Sequence, residues 1–246
     1  MHLVAEHLAM PKEGSADSEY EDAYWPQHPA RGCQRFAVAD GATETSFSGI
    51  WANLLVEAYG AGGFDKLPSM DWLSELQGRW WSLAREKPLP WYAEEKLQSG
   101  TFAAVVGLTL DWESGESEHG TWHAEAIGDS CLVQLRDGNV LVKFPLHGSE
   151  DFTNSPVLLS ARAGEHSGID SLVCYKGQWE CGDEFYLMTD AVASWFFRAM
   201  ERGEAPWETV WELDNPRPFR NWVETARRDN LMRNDDVTLY RIQIRE

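Results

Sequence analysis

An apolar run, Phe36-Ala37-Val38-Ala39, leads straight into Asp40-Gly41. A strand that ends in a carboxylate sets a negative group at the lip of a core. The glycine after it lets the backbone turn where a Cβ would clash, with its carbonyl free to face whatever the carboxylate faces. Taken alone, Asp-Gly is a turn signal. The arrangement recurs, however. Glu21-Asp22 opens a short strand-like stretch, Asp190 follows the apolar run 184–189, and Asp235-Asp236 stands directly before the last apolar stretch. Side chains at strand ends converge on a shared rim. Several carboxylates on one rim repel one another by several kcal/mol unless a cation lies among them. Hard oxygen ligands of this kind suit Mg²⁺ or Mn²⁺.

The elements that must position these groups follow from apolar periodicity. Residues 3–10 and 21–25 read as short extended pieces and Arg35–Ala39 as a buried strand. Ile50, Leu54, Leu55 and Ala58 fall at helical spacing, and glycines at 60, 62 and 63 stop that helix. A second helix is predicted from Ser69, its N-cap, to about Lys87, with Trp72, Leu73, Leu76, Trp80 and Leu83 on one face. Strands are predicted over 100–110, 121–127, 131–135 and 140–144, with Gly128-Asp129-Ser130 interrupting one run that then continues. Residues 146–163 read as a long polar loop, 172–175 and 178–179 as two short strands, and 184–189 as a strand running into a helix over 192–197. A helix over 219–228 and an alternating strand over 237–244 close the chain. Strands, a helix pair, strands, then helix and strand argue a single α+β domain over 1–246 with sheets packed inside helices.

In this order the motifs resemble the PPM family, the metal-dependent type 2C protein phosphatases. The resemblance is carried by Tyr20-Glu21-Asp22-Ala23, Val38-Ala39-Asp40-Gly41, Ser99-Gly100-Thr101-Phe102-Ala103-Ala104, Ala126-Ile127-Gly128-Asp129-Ser130, Leu187-Met188-Thr189-Asp190-Ala191 and Asn234-Asp235-Asp236-Val237-Thr238. It implies a four-layer α-β-β-α sandwich, two antiparallel sheets flanked by helices, and a two-metal serine/threonine phosphatase using Mn²⁺ or Mg²⁺. Asp40 then bridges the metals and the Gly41 carbonyl joins one of them. Asp190 and Asp235 hold the other, and Glu21 or Asp22 binds the second ion directly or through water. Asp129 lies near a third, weaker site. Water held between two divalent ions loses its proton near neutral pH and attacks phosphorus in line. The implied partners are a phosphoprotein substrate and a cognate kinase. The alternative is a relative that binds metal or a phosphoprotein without turnover. Where family members carry an arginine ahead of the Glu-Asp pair, this chain reads Ala16-Asp17-Ser18-Glu19-Tyr20, leaving Lys12, Arg31 and Arg35 as cations to replace it. The closing motif has Asp236 where the family has asparagine, and Ala191 follows Asp190 where it has glycine.

Composition agrees. A net charge of −19 over 246 residues repels nucleic acid and anionic lipid, which excludes both as main partners. The four cysteines, Cys33, Cys131, Cys174 and Cys181, match no metal spacing; Cys131 and Cys174 lie in apolar runs and are expected in the core of a reduced, cytoplasmic chain. No secretory leader or membrane span is read. Trp80-Trp81, and Trp25 with Trp91, are read as packing residues. A Ser/His/Asp triad finds no support in residue order.

Overall fold

The structure, a computed structural model, describes residues 2–26, 34–42, 47–66, 70–86, 97–112 and 118–245. Arg31, Cys33, Ser69, Lys87 and Trp91 lie outside these residues. Successive elements are β1 (His2–Met10), β2 (Ala23–Trp25), β3 (Arg35–Gly41), α1 (Ser48–Gly60), α2 (Met70–Arg85), β4 (Phe102–Asp111), β5 (His119–Ile127), β6 (Cys131–Arg136), β7 (Asn139–Phe144), β8 (Leu159–Ser160), β9 (Val173–Glu180), β10 (Glu184–Met188), α3 (Asp190–Glu201), α4 (Pro206–Glu212), α5 (Pro216–Arg228) and β11 (Val237–Arg245).

The strands form two antiparallel sheets. One has the order β1-β11-β10-β6-β7 and the other β2-β3-β4-β5-β9, with β8 paired to β4. Period-two alternation explains how each sheet serves two layers. In β3, Phe36 and Val38 point between the sheets, while Ala37 and Ala39 face α1 and α2. In β10, Phe185 and Leu187 point between the sheets, while Tyr186 and Met188 pack under α3 and α5. Small residues on the outer face of β3 let Trp51 of α1 and Trp80 of α2 lie close against the sheet. The four layers are therefore helix, sheet, sheet, helix, each interface apolar on both sides.

Several expectations are corrected. Gly128-Asp129-Ser130 does not interrupt one strand. The chain changes sheets there, because β5 pairs with β4 and β9 while β6 pairs with β10 and β7. Part of 146–163 is ordered by pairing: Leu159 and Ser160 register against Ala103 and Phe102. The pieces at 172–175 and 178–179 are one strand, since Lys176 and Gly177 pair with His123 and Trp122 across the ladder. Cys174 is exposed on this outermost strand rather than in the core; Cys131 is buried. Trp80 is buried as expected, and Trp25 and Trp81 pack partly buried against the same core. Among the described residues no helix is long and apolar enough to cross a membrane.

Candidate metal centre

The acidic positions meet at one end of the sandwich. Asp40 is next to last in β3, Asp129 lies in the sheet-to-sheet crossover, and Asp190 starts α3, one residue beyond β10. Asp22 precedes β2, and Asp235 precedes β11. Carboxylate oxygens of Asp40, Asp129 and Asp190 all lie within 4.8 Å of one another. Gly128, with φ of +93°, makes the left-handed turn that sends the chain across and turns Asp129 inward. Ala191 falls inside α3, where backbone φ is negative, so its Cβ is tolerated.

Gly41 answers a different need. A Cβ there would lie 2.6 Å from the Glu21 carbonyl oxygen and 2.9 Å from the Ser48 carbonyl carbon, so three backbone segments meet at this residue. Gly41→Ala is expected to cost about 2 kcal/mol, because backbone cannot yield as a side chain does. A urea midpoint indistinguishable from that of the unmodified chain would contradict the close approach.

Asp22 sits in a hydroxyl cradle. Its Oδ2 accepts from Thr189 Oγ1 at 2.9 Å and Thr238 Oγ1 at 2.7 Å, and the Thr238 amide donates to Thr189 Oγ1 at 3.0 Å. The Tyr20 hydroxyl also bonds Thr238 Oγ1. Asp22 therefore ties the two sheets together at the rim. Glu21 is held by Ser48 Oγ at 2.5 Å and by Lys12 Nζ at 3.0 Å. Asp236, the departure from the closing motif, accepts from the amides of Lys12 at 2.7 Å and Glu21 at 2.6 Å. A carboxylate suits that place because it offers only acceptors to two N–H donors. Asp235 Oδ1 accepts the Asp236 amide at 3.0 Å. Thus Asp40, Asp129 and Asp190 are brought into one cluster, while Asp235 stands beside it and Glu21 and Asp22 are engaged by their own partners.

Three buried carboxylate oxygens, Asp22 Oδ1, Asp129 Oδ2 and Asp190 Oδ1, have no hydrogen-bond partner among the described residues. Burial and the charges of Asp129 and Asp235 hold the Asp40 carboxyl well above the usual range, with Arg233 opposing. Asp22 is raised by burial and then by Asp40, and Asp129 by burial. Orphaned hard oxygens among mutually repelling acids fit a divalent cation. Carboxyls whose pKa rises on folding bind more protons folded than unfolded, so their contribution to stability falls as pH climbs from about 4 through their folded values. Without added metal the protein is expected to melt higher at about pH 5.5 than at about pH 8, and saturating Mn²⁺ to raise the melting temperature more at the higher pH, where protons compete less for the ligands. Equal metal stabilisation at both would contradict carboxylate binding.

The cations fall out differently from expectation. Arg35 is clamped by Asp65, 3.1 and 2.8 Å from its carboxylate, at the opposite end of β3 from Asp40. Lys12 is at the rim, on Glu21. Arg233, not singled out from the sequence, pairs with Asp190 Oδ2 through Nη2. Its position two residues before Asp235 was the available signal.

No family model matches the chain, and no curated protein sequence matches it. Solved structures do. The serine/threonine phosphatase PstP/Ppp of Mycobacterium tuberculosis superposes with a TM-score of 0.58 at 15% identity, covering 100% of both chains. This is the fold of the PPM-type phosphatases. The PstP catalytic domain in complex with two manganese ions gives a TM-score of 0.57 at 17% identity, over 100% of this chain and 99% of that one. The photosystem II phosphatase PBCP gives 0.59 at 15% identity, over 99% of each chain. At such identities the PPM likeness is one of architecture: two antiparallel sheets between helix layers.

Proposed function

We propose that the chain is a metal-dependent phosphomonoesterase of the PPM type acting on phosphoserine or phosphothreonine in a protein, with residues 1–246 serving as one catalytic unit. The observation that supports this most directly is the cluster of Asp40, Asp129 and Asp190 with its orphaned oxygens, set at the rim where two sheets end. Asp40 and Asp190 would hold divalent ions, with Asp235 beside them, the Gly41 carbonyl and Glu21 completing one side and Asp129 the other. Mn²⁺ or Mg²⁺, when bound, supplies positive charge for the phosphoryl oxygens and lowers the pKa of a water molecule. The chain's own part is positioning. The Thr189 and Thr238 hydroxyls fix Asp22, Asp236 fixes the backbone of Glu21, and Arg227 Nη2 fixes the Asp235 carbonyl at 2.5 Å. Preset donors and ligands need no reorganisation as charge develops on phosphorus.

A second reading has its own support. Lys12 on Glu21 and Arg233 on Asp190 neutralise two of the acids from within the chain, as a binding-only relative would. Phosphate release from a phosphothreonine peptide, compared with sugar phosphates, in Mn²⁺ and in EDTA, separates the readings. Metal-dependent release that favours the peptide supports the protein phosphatase. Faster release from sugar phosphates overturns the protein substrate, and no release favours the binding-only relative.

A further inference from the structure

Arg233 lies in the segment between α5 and β11. Its side chain is 44% exposed and that of its partner Asp190 only 10%, so the guanidinium stands at the mouth of the acidic cluster rather than within it. Its charge is felt at Asp40 and Asp129 as well. The backbone beneath it is tied down. The Asp235 amide donates to the Arg233 carbonyl at 3.1 Å, and Arg227 bridges the carbonyls of Asp235 and Pro11, the latter at 3.2 Å. A fixed backbone with a long, half-exposed side chain lets the guanidinium move by its own torsions while remaining at the mouth.

Two ligands compete for that place. A divalent ion that takes Asp190 Oδ2 must displace the guanidinium. A displaced guanidinium at the same mouth presents a planar fork of N–H donors, the geometry that matches phosphate oxygens. We propose that Arg233 is the phosphate-binding residue of this site, resting on Asp190 and passing its fork to the substrate phosphate when a divalent ion takes Asp190. The inference rests on the metal-dependent phosphatase reading and adds the residue that holds the phosphate. Lys12, the other rim cation, keeps its charge on Glu21.

The test uses the full chain as wild type, Arg233→Gln and Arg233→Lys. Calorimetry reads Mn²⁺ affinity, and steady-state kinetics on p-nitrophenyl phosphate read KM and inhibition by inorganic phosphate. Arg233→Gln should bind Mn²⁺ about three- to tenfold more tightly, since a part-exposed ion pair no longer opposes the metal. Its KM and phosphate inhibition constant should both rise about tenfold, the loss of one charged bidentate contact. Arg233→Lys should keep the wild-type Mn²⁺ affinity yet share the weaker phosphate binding, because it retains the charge without the fork. Arg233→Gln with unchanged or weaker Mn²⁺ affinity, or with wild-type phosphate inhibition, overturns the assignment. If the wild type still turns over with Mn²⁺ in that case, the phosphatase reading stands. A wild type that binds neither Mn²⁺ nor phosphate overturns both.

Discussion

Asp40→Asn is expected to lower Mn²⁺-dependent turnover by about a thousandfold or more while raising the melting temperature of the metal-free protein by about 2–4 °C. The two effects share one cause. Asp40 faces Asp129 and Asp235 from a half-buried position, and Arg233 compensates only in part. A neutral amide of the same shape removes the repulsion, so folding becomes easier. The same amide is a poor ligand for a hard divalent ion, so the metal charge that stabilises the transition state is lost. Thermal denaturation in EDTA together with initial rates in Mn²⁺ checks both halves. A variant that keeps full turnover would sink the metal-centre reading. One that is inactive and also melts well below wild type would show that Asp40 is structural.

Asp183→Ala is expected to show the reverse, a loss of about 3–5 kcal/mol in stability with kcat of the folded fraction unchanged. Asp183 is fully buried, at the other end of β10 from Asp190. Its oxygens accept from Arg136 Nε at 2.7 Å and Nη2 at 2.9 Å, Gln134 Nε2 at 2.8 Å and the Glu180 amide at 3.0 Å. Truncation strips two N–H donors of the Arg136 guanidinium and the Glu180 amide of their acceptor and leaves Gln134 only the Gln178 carbonyl, losses that are costly out of water. Urea unfolding with kinetics on the surviving native protein measures both. A stability change below about 1 kcal/mol would mean that water replaces these bonds. The contrast with Asp40 is one of surroundings: Asp183 is ringed by donors, whereas Asp40 faces Asp129 and Asp235.

Much of this was legible in the chain. Strand alternation in β3, β10 and β11 announces both faces of each sheet, and apolar runs ending in Asp40 and Asp190 announce the rim. What escaped reading was whatever depends on distant pairing. Residues 159–160 become a strand only because β4 runs past the end of β5, leaving Phe102 and Ala103 to pair with them, and no local signal marks that pairing. The change of sheet at Gly128 looks in sequence like an interruption, since a turn between partners and a turn between sheets use the same residues. Cys174 sits in an apolar stretch but on an outermost strand, where alternation no longer implies a core on both faces. Arg233 offered only its place two residues before Asp235, which is weak on its own. A lone arginine beside Asn234 and Asp235 reads as a solvated turn residue until the fold brings Asp190, from 43 positions earlier, against it.

The most direct measurement is the initial rate of p-nitrophenyl phosphate hydrolysis as Mn²⁺ is titrated into EDTA-stripped protein, with Asp40→Asn run in parallel. The expected result is a rate near zero without metal, a saturable rise with Mn²⁺, and no rise in the variant. A rate that is independent of Mn²⁺, or equal in the variant, would contradict a metal centre built on the Asp40, Asp129 and Asp190 rim.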